Sequence, residues 1–186
     1  MDCHYVNGPR RDGLTNMTST PIVKIPVGVA VERRKANSPW LDAIWRPTEV
    51  FHGVPAAAPW TVIDESPDAT TFYAGHAEID LFRTETANYR SNLTSGTPLL
   101  WVILRPIGGE PAFELLAVTA DPAEGEALTG AGNDLVETVA MPASIGAAIQ
   151  AFISEHHVER PTFRRKRDRS GLAPRERSED QPEEPS

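Results

Sequence analysis

Cysteine is almost missing from this chain: Cys3 is the only one among 186 residues. An intramolecular disulfide has no partner residue, and a multi-cysteine zinc or iron–sulfur site has no ligand set. Long apolar runs are missing too. Leu99 to Leu104, among the longest, falls far short of the ~20 residues that span a bilayer as a helix. Export signals are also lacking. Arg10-Arg11 and Arg33-Arg34 resemble twin-arginine pairs, but neither precedes an apolar segment of about 7 to 15 residues with a small-residue cleavage site. The expectation is a cytoplasmic protein with no membrane partner, in which the sequons at Asn16 and Asn92 have no consequence.

What is present is ordinary globular material, 40% hydrophobic and 24% charged, punctuated by 17 prolines and 13 glycines. That proportion favours many turns over long helices. The length suits one domain, which can bury roughly two thirds of its unfolded surface. The first sixteen residues carry no periodicity, which leaves Met1 and Met17 as alternative starts. Residues 1–20 are read as a disordered extension, 21–160 as a single β-rich domain and 161–186 as a disordered tail.

Apolar residues alternate from Val23 through Ile25, Val27, Val29 and Val31, the period of a half-buried strand. Ser38-Pro39 breaks it, and Leu41 to Val54 reads as a second strand. Trp60 to Ile63, Thr70 to Tyr73 and Ala77 to Leu81 follow as three shorter ones, with Asp64 to Asp68 as a turn. Thr84 is placed to cap a short helix. Leu99 to Leu104 and Phe113 to Val118 are expected to pair across Gly108-Gly109 as the middle of the sheet. A short helix over Asp121 to Leu128, a last strand over Leu135 to Val139 and a helix from Pro142 to His157 complete the pattern. On that helix Ile145, Ala148, Ile149, Phe152 and Ile153 form one apolar stripe. The fold class that follows is α+β, mainly β: a curled or partly closed antiparallel sheet of about six or seven strands with a C-terminal helix.

Chemistry is harder to find. Thr129 to Asp134 is glycine-rich, but Leu135 stands where a dinucleotide loop needs its third glycine, so a helix-ending turn is the reading. Among the five histidines, adjacent His156 and His157 project about 100° apart on a helix and cannot share a metal from it. No catalytic residue, metal ligand or cofactor site is assigned. Trp45-Arg46-Pro47 joins an aromatic to an arginine, a combination enriched at interface hot spots. The run from Arg83 through Glu85, Asn88 and Tyr89 to Asn92 either lines a binding surface or forms a capping network. Residues 156–170 hold six basic against two acidic side chains, including Arg164, Arg165, Lys166 and Arg167, while residues 171–186 hold two against five. The domain between 21 and 155 holds eight basic against seventeen acidic residues. That acidity disfavours nucleic acid along most of the surface and leaves the tail to an acidic protein partner or to solvent.

Several stretches carry a family resemblance: Pro26-Val27-Gly28-Val29 with Glu32-Arg33-Arg34, Ser38-Pro39-Trp40, Trp45-Arg46-Pro47, Phe72-Tyr73-Ala74-Gly75, Arg83-Thr84-Glu85-Thr86 with Asn88-Tyr89, Leu100-Trp101-Val102, Thr119 to Glu126, and Glu155 to Pro161 with its basic sequel. Over about residues 20 to 169 the chain resembles a proteobacterial domain-of-unknown-function family encoded near molybdenum-dependent formate dehydrogenase and its maturation factors. Some members carry the label molybdopterin-guanine dinucleotide biosynthesis protein A. The resemblance implies a role in assembling that enzyme, with a formate dehydrogenase subunit or maturation factor as partner. The label implies a nucleotidyltransferase, which needs a glycine-rich loop after its first strand; here that strand runs into Glu32-Arg33-Arg34-Lys35. Two expectations stand: a non-catalytic adaptor acting through Trp45, Arg46, the 83–92 segment and the tail, or a pterin- or nucleotide-handling protein with a cleft of Tyr73, Arg83, Tyr89 and Arg105.

Overall fold

The computed structural model describes residues 20–38, 40–130 and 132–157. Most of the predicted extension, all of 161–186, and thus Arg164, Arg165, Lys166 and Arg167, lie outside the described residues. Within them the fold is mainly β, with seven strands and three α-helices. Strands β1 (Val23–Ser38) and β2 (Leu41–His52) form a long hairpin, followed by β3 (Thr61–Glu65) and β4 (Ala69–Leu81). A 3-10 turn at Arg83–Glu85 leads into α1 (Thr86–Leu93); then come β5 (Leu99–Pro106), β6 (Phe113–Thr119), α2 (Pro122–Thr129), β7 (Leu135–Ala140) and α3 (Ala143–His156).

The strands form two antiparallel sheets, ordered β2-β1-β4-β3 and β6-β5-β7. The predicted single curled sheet is thus divided. β4 approaches β6 and β2 approaches β7, so the sheets meet along both flanks with no ladder shared between them. Ile25, Val27, Val29 and Val31 of β1 face Leu100, Val102 and Leu104 of β5 in one continuous core. Each such side chain, fully buried, contributes about 1.5–3 kcal/mol. β5 is central in its sheet, but its partner β6 lies at an edge, because β7 returns to the other side.

The two strands predicted on either side of Gly75 are one. Val29 pairs with Gly75 and Ala30 with Tyr73, so Ala74 is an extra residue bulged out of register. Gly75 supplies the positive φ of 129° next to it, and the ladder continues where the local pattern had read as a break. Thr84 does not cap α1: the 3-10 turn precedes that helix, which has no side-chain cap. α2 is capped by Asp121, whose carboxylate accepts from Ala123 N at 2.8 Å, with Pro122 in the first turn. Pro142 is the N-cap of α3 rather than its first residue. The stripe on α3 packs as its spacing predicts, with Ile145, Ile149, Phe152 and Ile153 buried and Ala148 partly so. No helix among the described residues is long and apolar enough to cross a membrane.

Candidate functional site

The polar run 83–92 is largely engaged in holding α1 to the sheets. Asn88 Nδ2 donates to Glu85 Oε2 and to Asp121 Oδ2, each at 3.0 Å, joining the starts of α1 and α2. Asn92 is buried; its amide donates to Leu99 O at 2.7 Å and Ala120 O at 2.9 Å, and its oxygen accepts from Leu99 N at 3.0 Å. Tyr89 is buried, and its hydroxyl accepts from Phe82 N at 3.2 Å while facing Asp80 O at 3.4 Å. Desolvation holds that phenol well above its ordinary pKa. Arg83 is exposed, and its carbonyl accepts from Thr86 Oγ1 at 3.2 Å. His157 closes the network, with Nδ1 3.0 Å from Thr86 Oγ1 and Nε2 3.4 Å from Arg90. Because the Thr86 hydroxyl donates to Arg83, its oxygen accepts from Nδ1–H, and Nε2 is left to accept from Arg90.

Tyr73, Arg83, Tyr89 and Arg105 do not share a cleft. Tyr73 is buried at the bulge, its ring 6.0 Å from that of Phe51 and its hydroxyl without a partner among the described residues. Tyr89 is tied to Asp80, seven residues further along β4, on the order of 20 Å away at strand spacing. Arg105 belongs to the other sheet and chelates Asp134 through Nε at 3.1 Å and Nη2 at 3.0 Å.

The hairpin distributes Trp45-Arg46-Pro47 to two different places, since successive strand residues face opposite sides. Trp45 lines a cleft of about 280 Å³ with Arg33, Trp60, Phe72, Glu110, Pro111 and Ala112. Its indole stacks near Phe72 (5.8 Å, 29°) and meets Trp60 (6.0 Å, 84°) and Phe113 (5.7 Å, 60°) edge to face. Arg33, its partner across the ladder, places its guanidinium 5.9 Å from the Trp45 ring centre, within cation–π range. Trp60 has φ 66°, which costs a non-glycine residue about 1–3 kcal/mol; its amide donates to Tyr73 O at 2.5 Å. Neither Arg33 nor Glu110 has an ion-pair partner among the described residues.

Arg46 lines the other cleft, about 350 Å³, with Glu32, Arg34, Pro47, Thr48 and β7 residues 138–140. Arg34 there pairs with Glu32 at 3.1 Å, which holds its guanidinium above the ordinary pKa; Arg46 has no carboxylate partner among the described residues. Beyond both clefts the hairpin ends in Trp40, 90% exposed, with Leu41 and Ile44 also exposed. Arg33, Trp60, Phe72 and Glu110 were not singled out in the sequence as site residues. The break in the apolar pattern between β1 and β2 is a signal for a hairpin, whose register sets Arg33 opposite Trp45; nothing local points to Trp60 or Glu110.

A family model, DUF3305, described as a protein of unknown function, matches residues 26–167. The chain belongs to this family. The match takes in both sheets apart from the first three residues of β1, all three α-helices and every residue of both clefts. No curated protein and no solved structure matches the chain.

Proposed function

We propose that this DUF3305 protein is a non-catalytic accessory protein that binds a subunit of a molybdenum-dependent formate dehydrogenase, or one of its maturation factors, in the cytoplasm during cofactor insertion. The observation that carries a binding role is the cleft at Trp45, where aromatic walls stand beside an arginine and a glutamate with no ion-pair partner among the described residues. Aromatic residues and arginine dominate protein-binding hot spots. Use of Asn88, Tyr89, Asn92 and Arg105 in internal contacts weighs against the same side chains serving as reaction groups. The choice of partner rests on the sequence resemblance to proteins encoded beside that enzyme. The basic tail at Arg164 to Arg167 is assigned to the same partner.

The test is formate dehydrogenase activity and molybdenum content in a strain lacking the gene, complemented with the full chain or with Trp45→Ala. Loss of activity together with metal, restored by the full chain alone, is the expected outcome. Unchanged activity in the deletion strain removes the proposal.

A second reading is a pterin- or nucleotide-handling protein in molybdopterin-guanine dinucleotide biosynthesis. Glu110 and Arg33 on the walls of one aromatic cleft favour it, since a carboxylate accepts from an aminopyrimidine edge and a guanidinium takes a phosphate. Saturable calorimetric binding of GTP or a reduced pterin, lost in Arg33→Ala, is what this reading requires.

A further inference from the structure

We infer that the cleft at Trp45 and Trp60 binds an extended, proline-containing segment of a partner protein in the polyproline II conformation. This deepens the adaptor reading and rests on it. Five observations on the cleft support this occupant. The two indoles meet at 84°, so they form a corner rather than parallel jaws. Polyproline II segments dock in aromatic-lined grooves, and the two indole faces of this corner supply such a lining. Phe72, stacked near Trp45 at 29°, supports that indole from within the same cluster.

Size points the same way. At about 280 Å³ the cleft lies just below the roughly 300–1,000 Å³ of small-molecule sites, a size that suits part of an extended chain. Neither indole N–H of Trp45 or Trp60 has an acceptor among the described residues. A polyproline II segment makes no internal hydrogen bonds and presents free carbonyls to such donors. Charge completes the fit: Arg33 and Glu110, of opposite sign and both free of ion pairs among the described residues, suit a segment with an acidic residue near the first and a basic residue near the second. The left-handed backbone of Trp60 is the kind of local strain that persists at binding sites.

The experiment titrates the full-length protein with a capped hexaproline peptide and with the same peptide carrying Asp at one end and Lys at the other. Indole N–H signals are followed by NMR. The chain has four tryptophans; saturable shifts are expected at Trp45 and Trp60, and none at the exposed Trp40. The charged peptide is expected to bind more tightly. Trp45→Ala is expected to weaken binding at least about tenfold, roughly the 1.4 kcal/mol that a tenfold change represents. Should that variant unfold, the exposed Arg33→Ala and Glu110→Ala changes serve instead, each expected to remove the advantage of the charged peptide over hexaproline. No shift at millimolar peptide overturns the inference, as do shifts produced by GTP or neopterin in place of the peptide, or peptide binding indifferent to Trp45, Arg33 and Glu110. Capture of the formate dehydrogenase partner without peptide binding overturns this inference alone. Peptide binding without an enzyme phenotype in the deletion strain overturns the choice of partner alone.

Discussion

The indole of Trp101 lies flat over Gly125, where any Cβ would overlap the ring. Gly125 is buried within α2, at a position where alanine would ordinarily improve a helix by roughly 1 kcal/mol. Here the sign reverses. Gly125→Ala is expected to destabilise by about 1–3 kcal/mol, the usual range for overpacking, and Trp101→Leu in the same chain is expected to recover part of the loss. A urea double-mutant cycle reads the coupling; additive single changes would show that the contact does not constrain α2.

Asn92 makes three hydrogen bonds to backbone from a buried position. Asn92→Ala leaves Leu99 N–H and two carbonyls without that partner, each unmet group costing about 1–3 kcal/mol. The expected loss is about 3 kcal/mol or more in urea unfolding. Asn92→Asp is expected to fare no better, because it retains only the acceptor for Leu99 and turns a carboxylate oxygen toward two carbonyls.

Tyr89 gives the fold a pH dependence on the alkaline side. Its pKa is raised in the folded state, chiefly by desolvation, so above pH 10 the unfolded chain loses the phenol proton while the folded one keeps it. The native state then binds more protons, and stability falls as pH rises. Below about pH 10 this contribution is constant. Tyr89→Phe is expected to lower stability at neutral pH by about 0.5–1.5 kcal/mol through its lost hydrogen bond, and to flatten the decline between pH 10 and 12. An undiminished slope in the variant would assign the decline to other groups.

Arg105 takes part in neither functional reading. Its half-exposed guanidinium is already held by the largely covered carboxylate of Asp134, and it lies outside the cleft at Trp45. Arg105→Ala is therefore expected to leave partner capture unchanged and to cost no more than about 1 kcal/mol in urea unfolding, the upper end for a partly exposed pair. Arg46→Ala is expected to keep the fold and weaken capture, since Arg46 lines the second cleft with no carboxylate partner among the described residues.

The sequence by itself determined the local periods. Alternation at Ile25, Val27, Val29 and Val31 specified β1, the i, i+4 stripe from Ile145 to Ile153 specified α3, and Asp121 before Pro122 marked α2, because each signal depends on neighbours within a few residues. Whether the 83–92 run served binding or capping could not be read there, since Asn88 and Asn92 find Asp121, Leu99 and Ala120 only after the chain has folded back. Only the tertiary structure decided that seven strands divide into two sheets, that β4 continues through its bulge, and that Trp45 and Arg46 face different clefts. Register decides such matters: strand side chains repeat every two residues, so one extra residue at Ala74, or one step from Trp45 to Arg46, changes which partners a side chain meets. Trp60 and Glu110 reach Trp45 from distant parts of the chain, and contacts across that separation leave no local mark.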